Sequence, residues 1–165
     1  MANAIELRNR VKSVLNTNVK DPYWSGGTRK GNHFFDESDD FNFNRANTFP
    51  KGYIMLDDSP AMEPSGFGKT GIAKKWTTLM IYYYAKEGQK YTVGSDTYTD
   101  KDIVSYILED VKDVLLTNRI DGYHLNKISF GDSGRPRQIS APNGKFKLWW
   151  GVLPVTYIWS KKYNA

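Results

Sequence analysis

The sequence contains no cysteine and only two histidines, His33 and His124. The first absence excludes a disulfide framework, thiolate zinc sites and cysteine nucleophiles together. The second leaves little for imidazole chemistry, since neither histidine sits in a two-ligand motif. His124, inside an expected strand, reads as structural. No run approaches the roughly 20 apolar residues of a membrane-spanning helix, and the start, Met1 to Arg8, lacks an apolar signal core. The expectation is a soluble protein folding in a cytoplasm, with no membrane partner. There is no Gly-x-Ser-x-Gly elbow, no internal repeat and no cofactor motif.

Aromatic residues, by contrast, are plentiful. They make up 15% of a chain whose hydrophobic fraction is only 39%, which predicts an aromatic-rich core, polar loops and some aromatics at interfaces. A length of 165 residues suits a single domain covering 1–165, with a proper core. The net charge of +5 admits nucleic acid as a neighbour. Its distribution says more than its sum. From Gly31 to Pro64 the acids Asp36, Glu37, Asp39, Asp40, Asp57, Asp58 and Glu63 outnumber Arg45 and Lys51. From Arg119 onward, Arg119, Lys127, Arg135, Arg137, Lys145, Lys147, Lys161 and Lys162 face only Asp121 and Asp132. Segments of opposite sign suit head-to-tail association as well as they suit nucleic-acid binding.

The stretch Lys75–Ala85 organises the rest. Read with period two, Trp76, Thr78, Met80, Tyr82 and Tyr84 share one face, and Thr77, Leu79, Ile81, Tyr83 and Ala85 the other. Neither face is charged, so a central strand covered on both sides is expected. Ala4, Leu7, Val11, Val14 and Leu15 predict an amphipathic helix within 1–18, capped by Asn3 and ended by a left-handed Asn16 or Asn18. Residues 19–50 read as a long irregular insert, with turn signals and then His33 to Asn44, where phenylalanines interleave with acids. Lys51–Asp57 predicts a short strand, joined to Lys75–Ala85 as a hairpin with a large Pro- and Gly-rich tip. Gln89–Val93 is a possible edge strand. Thr99 caps a second helix reaching about Thr117, with Ile103, Val104, Ile107, Leu108, Val111, Val114 and Leu115 as its apolar stripe. Tyr123–Phe130 and Lys145–Ser160 predict strands, with a bulge, break or edge at Pro154. The reading is α+β: one mainly antiparallel, mixed sheet packed against two helices, with 51–165 supplying the sheet and the second helix.

Three motifs invite chemistry. Ser65–Thr70 resembles the end of a phosphate-binding loop, but Glu63 stands where its first glycine belongs and a strand follows. Asp40–Asn44 mimics the start of a calcium loop, but Arg45 and Lys51 replace the required glycine and glutamate. The acids Asp57-Asp58 and Asp36–Asp40 lack a partner base or histidine at suitable spacing. No catalytic, metal or cofactor-binding residue is assigned, and no enzyme is expected.

The order of parts resembles the tail-terminator (tail-completion) proteins of long-tailed bacteriophages and related viruses. The matching pieces are the helix Ala4–Leu15, Phe49-Pro50 leading into Tyr53–Leu56, the strand Trp76–Tyr84, the helix Asp100–Leu116, and Tyr123–Phe130 with Phe146–Trp159. The likeness covers most of the chain outside Val19–Thr48, and the Phe-rich acidic insert departs from it. It implies a virion structural protein, assembled in the host cytoplasm, that closes the head-proximal end of the tail tube as a ring, typically a hexamer. Its partners would be further copies of itself, the tube protein, a neck protein, and genomic DNA passing through the lumen. Under that resemblance Phe34, Phe35, Phe41 and Phe43 would clamp a neighbouring subunit. The basic residues Arg135, Arg137 and Lys145 would face DNA or tube, and the tyrosines near Tyr84 would reach an interface. Another head–tail connector protein, a nucleic-acid-binding module or a small hydrolase using the Asp57-Asp58 region are the competing classes.

Overall fold

The computed structural model describes residues 3–24, 32–39, 41–57, 62–63 and 74–161. Helix α1 (Ala4–Asn18) starts where the sequence says it should. The Asn3 side chain accepts from the Glu6 amide at 2.8 Å, and Leu7, Val11 and Leu15 are fully buried along one stripe. It does not end in a left-handed asparagine, since no described non-glycine residue has positive φ. Asn18 donates its amide to Val14 O at 2.9 Å instead, and the chain leaves through an extended Val19. Asn16 is used elsewhere: its amide binds Phe34 O, and its oxygen accepts from the His33 and Phe34 amides.

Strands β1 (Tyr23–Trp24) and β2 (Phe34–Asp36), a short 3-10 turn at Ala46–Thr48 and a cis Phe49–Pro50 peptide occupy the insert. Next come β3 (Lys51–Leu56), β4 (Met62–Glu63), β5 (Lys74–Lys86), β6 (Tyr91–Val93) and β7 (Asp96–Tyr98). Helix α2 (Asp100–Thr117), β8 (Tyr123–Phe130), β9 (Arg137–Ser140) and β10 (Lys147–Lys161) complete the order. The main sheet runs β2-β3-β5-β10-β8, with β4 on β5 and β9 on β10. Only β2–β3 is parallel; the rest is antiparallel. β1, β6 and β7 form a separate small antiparallel sheet. This is the expected α+β fold. The expected 131–144 loop contains β9, a strand whose residues are all exposed and which gave no hydrophobic signal.

β5 and β10 pair without interruption from Lys75↔Trp159 to Lys86↔Leu148. Thr77, Leu79, Ile81, Tyr83 and Ala85 of β5, with Leu153, Val155, Tyr157 and Trp159 of β10, form the buried face. Both helices pack there. A Cβ on Gly151 would stand 2.9 Å from Leu108 Cδ1 and 3.0 Å from Val104 Cγ1, so α2 lies directly on β10. The expectation of cover on both faces is corrected: α1 and α2 share one side, and no described helix covers the other. An uncharged aromatic face looks like a buried one in a period-two reading, which is why the sequence suggested otherwise.

Pro154 likewise causes no break. It sits mid-strand opposite Met80, and its carbonyl accepts from Gly131 N at 2.9 Å. The amide side of Pro154 faces the same edge, between the end of β8 and the start of β9, where no ladder donor is required. The β10 irregularity falls at Ile158/Trp159, against β8.

Candidate interaction surface

The side of the sheet that no described helix covers is built by alternation. β5 contributes Trp76, Thr78, Met80, Tyr82 and Tyr84, and β10 contributes Trp150, Val152, Pro154, Thr156 and Ile158. Tyr53 and Met55 of β3 stand beside Tyr82 and Met80, and Thr78 and Thr156 share a hydrogen bond at 3.0 Å. The centre carries no charge. Trp76 remains 40% exposed and Ile139 of β9 50% exposed. Between them Met80, Tyr82, Val152 and Pro154 are half-buried, and large apolar side chains gathered on one face mark an interaction surface more than scattered ones do.

One end of this face is occupied by the insert. Phe41 lies 5.2 Å from the Tyr53 ring and 5.9 Å from Tyr84; Phe43 lies 5.1 Å from Tyr84; Phe35 touches Phe41 edge-on at 6.0 Å. Tyr82 continues the row to Trp150 at 6.0 Å. Burial beneath this cluster, reinforced by Tyr82 and Tyr53, pushes the Tyr84 hydroxyl well above its ordinary pKa. Lys51 holds the loop down. Its ammonium donates to Asn42 O and Thr48 Oγ1, both at 2.9 Å, and lies 4.3 Å and 4.6 Å from the centres of the Phe41 and Phe49 rings. The segment that mimics a calcium loop is thus organised around the protein's own cation. A cleft of about 270 Å³ opens beside it between Phe43, Tyr82, Tyr84, Ile139, Leu148 and Trp150.

The four phenylalanines therefore divide. Phe35, Phe41 and Phe43 lie on the open face, packed on their own sheet. Phe34 points the other way into the core, 4.6 Å from the His33 ring and 5.8 Å from Tyr83. His33 is buried too, with Nδ1 3.0 Å from the Tyr83 hydroxyl.

The acids of the insert are not a solvated cluster. Asp36 is fully buried, 2.8 Å from Lys12 Nζ and 3.7 Å from Arg8 Nε. Glu37 pairs with Arg8 at 3.4 Å and Asp39 with Lys12 at 3.1 Å. Burial disfavours the Asp36 charge, but hydrogen bonds from Lys12 and Ser38 and the charge of Arg8 prevail and hold the carboxyl at about 2. Lys12 is raised in turn: burial lowers it, and bonds to Asp36 and Asp39 outweigh that. Asp57 is exposed. Asp40, Asp58 and Ser65–Thr70 lie outside the described residues, as do the side chains of Glu63 and His124. Among the described residues no group of three or more His, Cys, Asp or Glu is placed to hold a metal.

The basic residues lie along β9 and its flanking loops, and the β9–β10 turn reaches the insert, where the Asn143 amide donates to Asn44 Oδ1 at 2.9 Å. Arg135 is in the β8–β9 loop, Arg137 in β9 with its guanidinium 5.9 Å from the Trp150 ring, and Lys145 in the β9–β10 turn. All three are exposed, and none forms an ion pair among the described residues. The sequence reading missed Trp76, Met55, Trp150 and Ile139 as surface residues. The register that brings them together spans strands distant in sequence. No helix among the described residues is long and apolar enough to cross a membrane. No protein-family model matches the chain, and no curated protein matches it.

Proposed function

We propose that this chain is a structural subunit of a viral tail, capping the head-proximal end of the tail tube as an oligomeric ring. The observation that carries the reading is the aromatic face of the sheet, neutral at its centre, that no described helix covers. A single copy leaves it wet, and such a face favours permanent assembly over a free monomeric life. The order of elements, with two helices on one side of a mainly antiparallel sheet, supports the resemblance to tail terminators. The exposed bases Arg135, Arg137 and Lys145, which form no ion pair among the described residues, are available for an anionic neighbour, whether tube protein or passing DNA.

The test is light scattering on the purified chain, alone and mixed with tail tubes, read alongside negative-stain imaging. Closed rings in solution, or density confined to one end of the tubes, are the expected results. A chain that stays monomeric with tubes present, leaves their ends bare and binds free duplex DNA tightly would overturn the reading.

A further inference from the structure

We infer that the open sheet face of one copy is covered by the outer face of helix α2 of the next, in a head-to-tail contact. This deepens the ring reading and rests on it. The inner stripe of α2 is spent on its own sheet. On the opposite side, Asp102, Ser105, Glu109, Asp113 and Leu116 are all exposed and fall in line at spacings of three, four, four and three. Lys112, which pairs with Glu109 at 3.5 Å, and Lys101, which leans toward the Trp149 ring at 4.4 Å, flank the three acids Asp102, Glu109 and Asp113, so the stripe stays net acidic. Leu116, 61% exposed, provides an apolar knob at one end.

The open sheet face has the opposite character. Its centre is aromatic and neutral, and one long side is rimmed by Arg137 of β9 and Lys127 of β8, both exposed and brought to this face by pairing with Trp150 and Ile158. Arg135 stands just before β9. Among the described residues the exposed acids nearest this rim are Asp57, just past β3, Asp132 in the β8–β9 loop, where it caps the Gly134 amide, and Glu87, which accepts from Gln138 of β9 at 2.7 Å. The acidic stripe is about 16 Å long at the helical rise of 1.5 Å per residue. It fits within the roughly 26 Å that eight strand residues place between the Arg137 and Lys127 positions. The two surfaces are different patches on opposite sides of one subunit. Their contact is therefore heterologous; with a closing rotation between neighbours it forms a ring, and without one an open filament, and in either case it would add a helical layer over the sheet.

The absence of cysteine makes the test clean, because any disulfide must join introduced residues. Glu109→Cys and Arg137→Cys are made in separate chains and mixed under ring-forming conditions, with tubes if they are needed. Cross-linking between the two variants, at least tenfold above that of either alone, is expected. In parallel, one chain carries Glu109→Lys with Asp113→Lys, and another Arg135→Glu with Arg137→Glu. Each alone should lose its rings while keeping its thermal midpoint, since all four positions are exposed. An equimolar mixture should regain rings of alternating subunits. Rings that form from either charge-reversed chain alone, or that give no mixed disulfide, overturn the contact and leave the ring reading intact. Self-cross-linking of the Glu109→Cys chain would replace it with a two-fold contact. Absence of rings from the unaltered chain, with and without tubes, removes the ring reading and this inference with it.

Discussion

Asp36 shows how far a residue's role can lie from its sequence neighbourhood. In the chain it belongs to a run of acids in an irregular insert with no partner base at suitable spacing. In the fold it is the buried anion between Arg8 and Lys12, which α1 presents together because they are four residues apart. That pair of bases beside an apolar stripe was the legible signal; their acidic partner, beyond an irregular stretch, was not. Asp36→Asn would leave Arg8 and Lys12 facing a neutral partner, and a loss of about 3–5 kcal/mol is expected in urea unfolding at pH 7. The folded pKa of about 2 lies below the ordinary carboxyl value of 3.8. The stabilisation is therefore complete above that ordinary value and is lost as pH falls toward 2. Urea midpoints across pH 5 to 2.5 should drop more steeply for the parent chain than for Asp36→Asn.

At the scale of elements, the two helices and the strands β3, β5, β8 and β10 were readable almost to the residue, since cap and periodicity agreed in each helix. The sidedness was not readable. On the face that meets the helices α2 lies directly over Gly151, a residue that carries no hydrophobic signal and whose missing side chain leaves room for Val104 and Leu108. Gly151→Val should push α2 from β10 and cost about 1–3 kcal/mol in thermal unfolding, as overpacking does. The insert depends on a different device. Lys51→Met keeps the bulk of the side chain but removes two hydrogen bonds and the ammonium over Phe41 and Phe49. Faster amide exchange over Asn42–Thr48 is expected, with a loss of about 1–2 kcal/mol.

At the scale of the whole molecule, charge is sorted by surface. The insert neutralises itself through α1, the outer face of α2 stays acidic, and the β8–β9 edge stays basic. A ring held partly by that sorting should be sensitive to salt. Raising ionic strength from 0.1 to 1 M shortens the screening length from about 10 Å to about 3 Å, so the ring fraction measured by light scattering should fall while the unfolding midpoint changes little. Tryptophan emission offers a second reading. Trp76, 40% exposed in one copy, would lose water on assembly, and a blue shift on ring formation that is absent from Trp76→Phe is expected.

The long β5–β10 ribbon has a consequence for how the protein is made. Its two strands are separated by β6, β7, α2, β8 and β9, so the central pairing joins residues that leave the ribosome far apart in time. Until Lys147–Lys161 has emerged, β5 has only β3 and β4 beside it, and α2 has half of its platform. Closing the sheet must then wait until Lys147–Lys161 has left the ribosome, as pairings between distant segments generally do. A nascent chain therefore has no finished sheet face to offer a neighbour, and assembly begins only with completed subunits.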